Sequence, residues 1–523
     1  NDFMVSPSSG ASMNKLPLIS ICIPTYNRAS FLKRSLISIT STHTFHETDK
    51  VEIVISDNCS SDRTQEICSM FTEKYGEKIK YIRNKENIFH KNFGKALLSG
   101  SGEFRKLCND TFVFSKNGIE KLVSVIESHI LSKDILFFKN QYDNNSCSVI
   151  EKNASDMNEF IALATYFTTW SGGFGIWKEH ISGVSNFFED ASFHFHQVDL
   201  VLQLIKKYGH GVVVFDKLGE TQPTVRYGYN VAEVFGKEYL GILSTYHHEG
   251  LINTKTFNDE KKNILCGHIN PWYFDIKKRN NFIKNGYIKY LKNFYSKHIF
   301  FYTQLLRVFR KKIEYELKLY IQEHFISRND FIEKEWRKEN RHNTTHLHGL
   351  EIKNISRIHV GNHSSGVINA SFSENIWETL EIGNFVSIAP GVRFLCEVSS
   401  SAGSPASTIQ PAQNLPEMRF CSPIIVEDGV KIEANATILS GATLGQGCRV
   451  EADTVVSGDV EPYAIVKGNP AHVVGYLFPK EVRDRLRFVN LANLAPDAPQ
   501  VQKMLSGEIT PQNVDTVMEA FMG

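Results

Sequence analysis

The chain has no Cys-x-x-Cys pair and no regular cysteine spacing; its nine cysteines are scattered over 523 residues. One of them, Cys22, falls inside a β-branched run, so reduced thiols in a cytoplasm are expected rather than a disulfide framework. It also lacks a signal peptide and any uncharged apolar run near ~18 residues, so nothing in it is expected to span a bilayer. Net charge is nearly absent, with 58 Lys plus Arg against 57 Asp plus Glu, and this suggests no nucleic-acid partner. A single core is excluded by length, so two or three domains are expected. Residues 1–12 read as preceding a natural start at Met13 and are left out of the fold expectation.

What is present is organised around residues 18–64. Leu18-Ile19-Ser20-Ile21-Cys22-Ile23 and Val51-Glu52-Ile53-Val54-Ile55 are short β-rich runs that stop at polar turn residues, as buried parallel strands do. Between them Phe31, Leu32, Leu36, Ile37 and Ile39 recur at helical spacing. The unit reads strand, helix, strand, with ligands expected at the strand tips, Thr25-Tyr26-Asn27-Arg28 and Asp57. An aromatic ring and a carboxylate on neighbouring tips suit a nucleobase, the ring stacking and the carboxylate accepting an imide N–H. An ordinary doubly wound domain with polar loops fits the pattern equally.

Pro24-Thr25-Tyr26-Asn27-Arg28, followed by Ser56-Asp57-Asn58-Cys59-Ser60-Ser61-Asp62, resembles the family 2 glycosyltransferases of the GT-A fold. Those enzymes move a sugar from a nucleotide diphosphate sugar to an acceptor. The resemblance covers roughly residues 17–255 and implies that Thr25, Tyr26 and Asp57 hold the base and ribose of the donor, with Arg28 beside them. Asn87 and Asn92, in a polar loop after a strand at 80–83, are placed to touch the donor. The next tip, Cys108-Asn109-Asp110-Thr111, stands where the family carries two or three acidic residues for a divalent ion. Only Asp110 is acidic here, so a Mg²⁺ or Mn²⁺ site with less charge is expected, Asn109 and Asp110 serving the donor diphosphate.

Residues 142–157 read as a polar excursion. Trp170-Ser171-Gly172-Gly173 then offers either an acceptor surface (Trp170, Gly172, Gly173) or a buried aromatic cluster. His196-Gln197-Val198-Asp199 opens a helix where the resembled family has its general base. His196 is the expected base, with Asp199 orienting it or serving instead, and Glu189-Asp190 in reserve. Arg226 is a candidate clamp on the diphosphate.

From Lys277 to Lys312 there are eleven cations and no acidic residue, interleaved with aromatics including Tyr287, Tyr295, Phe301 and Phe309. Either this is a helix on an anionic membrane surface, or a helix pair packed on the protein with a solvated basic face.

Near the C-terminus Val426, Ile432, Ile438, Leu444, Val450 and Val456 recur every six residues. Val430, Ala436, Ala442, Cys448, Thr454 and Val460 follow four positions behind, which gives a left-handed parallel β-helix. This region, closing on Gly468-Asn469-Pro470-Ala471, resembles hexapeptide-repeat acyltransferases, which are trimers that bind acetyl-CoA between coils. The resemblance puts their catalytic His near Ser399, where Cys396 to Gly403 contains none. A trimerising scaffold is therefore preferred over an acetyltransferase.

The expected architecture is α/β: a GT-A Rossmann-like domain (13–255), a basic helical linker (256–345), the β-helix (346–478) and a helical tail (479–523). The expected activity is inverting transfer of a sugar from a nucleotide diphosphate sugar to a glycan or lipid-linked acceptor in bacterial surface polysaccharide synthesis. The setting is a cytoplasmic homotrimer, with the inner face of the plasma membrane as a further surface. A bifunctional glycosyltransferase and O-acetyltransferase using acetyl-CoA, and a non-catalytic sugar-binding scaffold, are the alternatives.

Overall fold

A computed structural model describes residues 16–142, 149–184, 194–222, 230–274, 286–325, 328–373, 378–397, 423–489, 497–506 and 508–522. The chain divides into two compact units, Asn1–Gln222 with Glu238–Asn263, and Pro223–Lys237 with Ile264–Gly523.

The first unit is built on β1 (Ile19–Thr25), α1 (Ala29–Thr40), β2 (Val51–Asp57), α2 (Thr64–Tyr75), β3 (Ile79–Arg83), α3 (Lys91–Leu98) and β4 (Phe104–Leu107). Strands β1 and β2 are buried along their whole length, which is why both read as unbroken runs rather than alternating ones. Sheet order is β3-β2-β1-β4-β7, where β7 (Gly175–Trp177) runs antiparallel to β4. Thr25 and Asp57 are register partners at the ends of β1 and β2. Pro24 is tolerated in a central strand because β4 pairs with β1 only as far as Cys22. The Cys22 carbonyl accepts from Cys108 N, so Pro24, two residues on, turns its nitrogen past the end of β4. At the opposite end of the sheet the buried Glu52 carboxylate accepts from Ser20 Oγ, Ser101 Oγ (2.7 Å) and Gly102 N (3.1 Å), tying β1 and β2 to the loop that enters β4.

A second, three-stranded sheet has the order β5-β8-β6, from β5 (Leu136–Phe138), β6 (Ile150–Ala154) and β8 (Gly211–Phe215). Strand β6 lies inside the segment expected to be a polar excursion. Its polar residues face out because it is an edge strand pairing only with β8. Helix α4 (His196–Tyr208) precedes β8 and buries Val198, Leu200, Val201, Leu202, Leu204 and Ile205.

In the second unit, Tyr287–Tyr295 and α5 (Ile299–Phe325) are helices. Tyr287, Tyr295 and Phe301 are buried, with Phe301 stacked on Tyr295 at 5.5 Å. These aromatics of the basic stretch are therefore packed inside the protein, not laid against a surface. Among the described residues no helix is long and apolar enough to cross a membrane.

The β-helix winds through three parallel sheets, with strands repeating every third hexad: Val426 pairs with Leu444, Ile432 with Val450, and Ile438 with Val456. All six residues of the hexad series are 2% exposed or less, and the small residues four positions on fill the space between them. Its turns use the left-handed region at Asn435 (φ 59°) and Asp453 (φ 58°), where short polar side chains are tolerated. Three helices close the chain (Lys480–Leu486, Pro499–Ser506, Val514–Met522), packing Val482, Leu486, Val514 and Val517 on Phe385, Tyr463 and Phe478. The last helix starts at Val514, and in the turn before it Asn513 Oδ1 accepts from Thr510 N.

Because Ile438 is fully buried in a stack that cannot close sideways, Ile438→Ala should cost about 2–5 kcal/mol. Thermal unfolding should show the transition of the β-helix unit falling while that of the first unit stays in place.

Candidate functional site

The ends of β1, β2 and β4 converge, and each carries a polar residue that the sequence marks. Asp57 is completely buried. Its Oδ1 accepts from Ser60 N (2.9 Å), and its Oδ2 from Tyr81 OH (2.8 Å) and Arg83 Nη1 (3.2 Å). Burial, then the neighbouring Asp57, pushes the Tyr81 phenol well above its ordinary range, so it stays a donor. The carboxylate is thus taken up by the chain's own donors, whereas Tyr26 is 44% exposed. The open ring-and-carboxylate pair expected for a nucleobase is not formed: β3 supplies the partners that a base was expected to supply.

The loops at these tips are locked to each other. Asn27, at φ 50°, accepts from Ser61 N (2.7 Å) and donates its own N–H to Ser60 Oγ (2.9 Å). Asp62 Oδ2 accepts from Ala29 N (3.0 Å), satisfying the first turn of α1 from across the site. Asn87 Oδ1 accepts from Asn58 Nδ2 (2.6 Å), and buried Asn92 exchanges bonds with Ser56 and Asn84. Both asparagines expected to touch a donor therefore shape the loop that leads into α3. Their amides offer the mixed donor and acceptor set that a buried loop backbone needs.

Asp110, just past β4, is 5% exposed and accepts from Thr25 Oγ1 (2.9 Å) and Arg28 Nη1 (3.1 Å); Arg28 is 36% exposed. Three of the residues marked in the sequence thus form one cluster, with the guanidinium on its solvent side. Asn109 turns the other way, its Oδ1 accepting from Ser171 Oγ (2.6 Å). Thr111 is buried. Among the described residues no group of three or more His, Cys, Asp or Glu is placed to hold a metal. One carboxylate suits a Mg²⁺-type ion only if substrate phosphates complete its shell.

Ser171 also borders a partly open pocket lined by His90, Phe93, Leu107, Thr169, Phe174, His194, His196, Gln197 and Leu200. His196 is the first residue of α4 and nearly buried. The His90 ring lies 4.9 Å from that of His194 and 6.5 Å from that of His196, centroid to centroid. Glu238 Oε2 contacts His194 Nδ1 at 2.9 Å and accepts from His194 N at 3.1 Å. Burial first, then the charges of His194 and His196, holds the His90 pKa below its ordinary value. Sequence reading missed His90, His194 and Glu238. The alternation His194-Phe195-His196 was the available signal for the second of these.

Asp199 does not serve this cavity. Its Oδ1 accepts from Tyr246 OH and its Oδ2 from Gln203 Nε2, both at 2.7 Å. Gly172 and Gly173 are buried, and an added Cβ would lie 2.4 Å from the Trp170 ring and 2.6 Å from the Phe137 ring respectively. These glycines exist for packing, which corrects the expectation that they meet an acceptor. Trp170 is half-buried above Gly172, whose carbonyl accepts from buried Lys106 Nζ. Burial lowers Lys106 to about 8. Arg226 and the pair Glu189-Asp190 lie outside the described residues, as does Ser399.

With this geometry in view, residues 20–145 match the family model described as Glycosyl transferase family 2. Abequosyltransferase RfbV of Salmonella typhimurium is 33% identical over 112 residues, covering 21% of this chain and 33% of that protein. The 2,3,4,5-tetrahydropyridine-2,6-dicarboxylate N-acetyltransferase of Brevibacillus brevis is 44% identical over 70 residues, 12% of this chain and 30% of that one. The chain thus spans about a third of the length of these curated relatives. A crystal structure of S. aureus TarS 1–349 in complex with UDP-GlcNAc aligns with 53% of this chain and 80% of its own, at 17% identity and a TM-score of 0.36.

The depressed His90 pKa fixes a sign. Below the ordinary His value of about 6.5 the unfolded chain takes a proton that folded His90 refuses. Its contribution to stability should therefore be level above that pH and decline as pH falls below it. NMR titration should place His90 below the exposed histidines, and His194→Ala should move it back upward.

Proposed function

We propose that the first unit is an inverting glycosyltransferase acting on a nucleotide diphosphate sugar. The observation that carries this is the meeting of two features in a family 2 domain. The Thr25–Arg28–Asp110 cluster lies at the strand ends, and a histidine-lined cavity adjoins it through Ser171 and Asn109. On this reading Arg28 turns from Asp110 toward the donor diphosphate, because a guanidinium one third exposed gains a second anion without losing burial. Tyr26 gives the nucleobase a face to stack on, and Asp57 acts indirectly by fixing Tyr81 and Arg83 as the wall beside it.

The acceptor hydroxyl enters the cavity and loses its proton to the imidazole of His196. Its oxygen then bonds to the anomeric carbon as the bond from that carbon to the diphosphate oxygen breaks. The electron pair leaves with the nucleoside diphosphate. His90, kept neutral, adds no positive charge that would weaken His196 as a base. A divalent ion, when it arrives with the donor, would be held by Asp110 and would offset charge on the leaving diphosphate. The acceptor is read as a glycan or a lipid-linked glycan in surface polysaccharide synthesis.

The β-helix is read as a scaffold whose flat sides associate in threes. A second reading, O-acetylation with acetyl-CoA, draws on the 44% identity of a 70-residue stretch to an N-acetyltransferase. Acetyl-CoA turnover by the full chain, retained in His196→Gln, would establish that second activity.

With a panel of nucleotide sugars, His196→Gln should lower transfer by roughly 10²–10⁴-fold and leave donor affinity nearly unchanged. Asp110→Ala should weaken donor binding and its response to Mg²⁺ or Mn²⁺. If no nucleotide sugar shifts the thermal midpoint of the wild-type chain, the unit is a non-catalytic scaffold instead.

A further inference from the structure

Helix α5 leaves a stripe of apolar side chains in solvent. Leu306, Phe309, Ile313, Leu317 and Tyr320 are 70%, 51%, 58%, 54% and 57% exposed, and Ile299 and Tyr302 continue the stripe toward the N-terminus. At about 100° per residue all of them fall within roughly 40° of the Ile313 direction. The other side of the helix is the packed one, where Phe301 stacks on Tyr295. Among the described side chains the exposed apolar band is narrow, as at the seam of a helix pair rather than on the broad face of a helix lying on a core or in lipid. Lipid is further disfavoured by the sequence of the second half of the helix, where Glu314, Glu316 and Glu323 oppose a single Lys318.

The order of the stripe identifies its occupant. Counted from Ile313, its members stand at −7, −4, 0, +4 and +7, a spacing that reads the same in both directions. We infer that α5 pairs antiparallel with α5 of a second copy of this chain, across a two-fold axis at Ile313. Leu306 then meets Tyr320 of the second copy, Phe309 meets Leu317, and Ile313 meets itself, so the contact closes on two chains. Charge selects the same direction. Arg310 and Glu314, 2.8 Å apart within the helix, lie along one edge of the stripe. An antiparallel two-fold pair brings like edges together with their direction reversed, which sets Arg310 of each copy within two residues, about 3 Å of helical rise, of Glu314 of the other. A parallel pair joins unlike edges and forfeits both ion pairs. The contact is separate from the flat sides of the β-helix and does not depend on the transferase reading.

Cysteine cross-linking of the full chain under mild oxidation tests orientation and register together, with the wild-type chain as the control for its native cysteines. Ile313→Cys should give a disulfide-linked dimer. Leu306→Cys alone should not, yet should cross-link when mixed with Tyr320→Cys. Self-linking of Leu306→Cys as strong as that of Ile313→Cys would mean a parallel pair and would overturn the inference, as would linkage at none of these positions. Ile313→Asp, at an exposed position that folding does not need, should halve the mass measured by sedimentation equilibrium. An unchanged mass would refute the pairing. So would a wild-type chain without the two-fold contact that pellets with phosphatidylglycerol vesicles and loses that binding in Ile313→Asp.

Discussion

A carboxylate withdrawn from water has to be paired, and at the functional end of the first unit the chain does this twice within a few residues. Asp57 is enclosed by a backbone amide, a phenol and a guanidinium; Asp110 is held by a hydroxyl and a second guanidinium. Leaving either unpaired would cost several kcal/mol, more than most single contacts return. The loops must therefore take the shapes that deliver those donors: the turn at Asn27, the Asp62 bond to α1, and the asparagine lattice from Asn58 to Asn92. The outer faces of the two guanidiniums, one third exposed in each case, are what remains available to a ligand. The chemistry of the site is accordingly cationic at its rim, although two acids stand at its centre.

How far the sequence revealed this depended on range. The parallel strands were legible because full burial erases alternation, and the β-helix because a six-residue period leaves a mark no other fold makes. Asp57 was legible as a tip residue, but its partners were not. Tyr81 and Arg83 reach it only through the register of β3 on β2, and a short strand does not announce its register. Asp199 was misplaced for a similar reason. Its partner Tyr246 comes from a helix 47 residues away, and that bond decides which way the carboxylate turns. Gly172 and Gly173 show a different limit, since close approach to a ligand and close approach to a buried ring demand the same residue.

The basic stretch from 277 to 312 illustrates how one sequence can hold two periods. Its aromatics alternate between a face that is buried, Tyr287, Tyr295 and Phe301, and one that is not, Phe309. Read as composition, the two merge into an amphipathic membrane helix. Read by angle they separate: one set anchors the helices to their own unit, and the other begins the narrow seam that runs on past Lys312 into an acidic half. Cations are frequent here because both faces are already committed, which leaves the flanks to carry solubility.

The same bookkeeping of charge bears on the reaction. On the proposed reading a nucleoside diphosphate brings about two to three negative charges to a site where, among the described residues, Arg28 and Arg83 offer exposed-side countercharge. Were Asp110 joined by further carboxylates, as acid-rich tips of this kind are, the empty site would repel the donor until a divalent ion arrived. With Asn109 and Thr111 in those places and Arg28 already on Asp110, the acidic charge at this tip is matched by the chain itself. On that reading the donor can approach before any ion does, and charge-assisted bonds worth about 1.5–3 kcal/mol each would hold it there. What the substitution gives up is the steep electrostatic grip on a leaving group that two or three ion-ligating acids would build. On the proposed reading, nearly buried His196 and the pocket beside it are where the compensating rate has to come from.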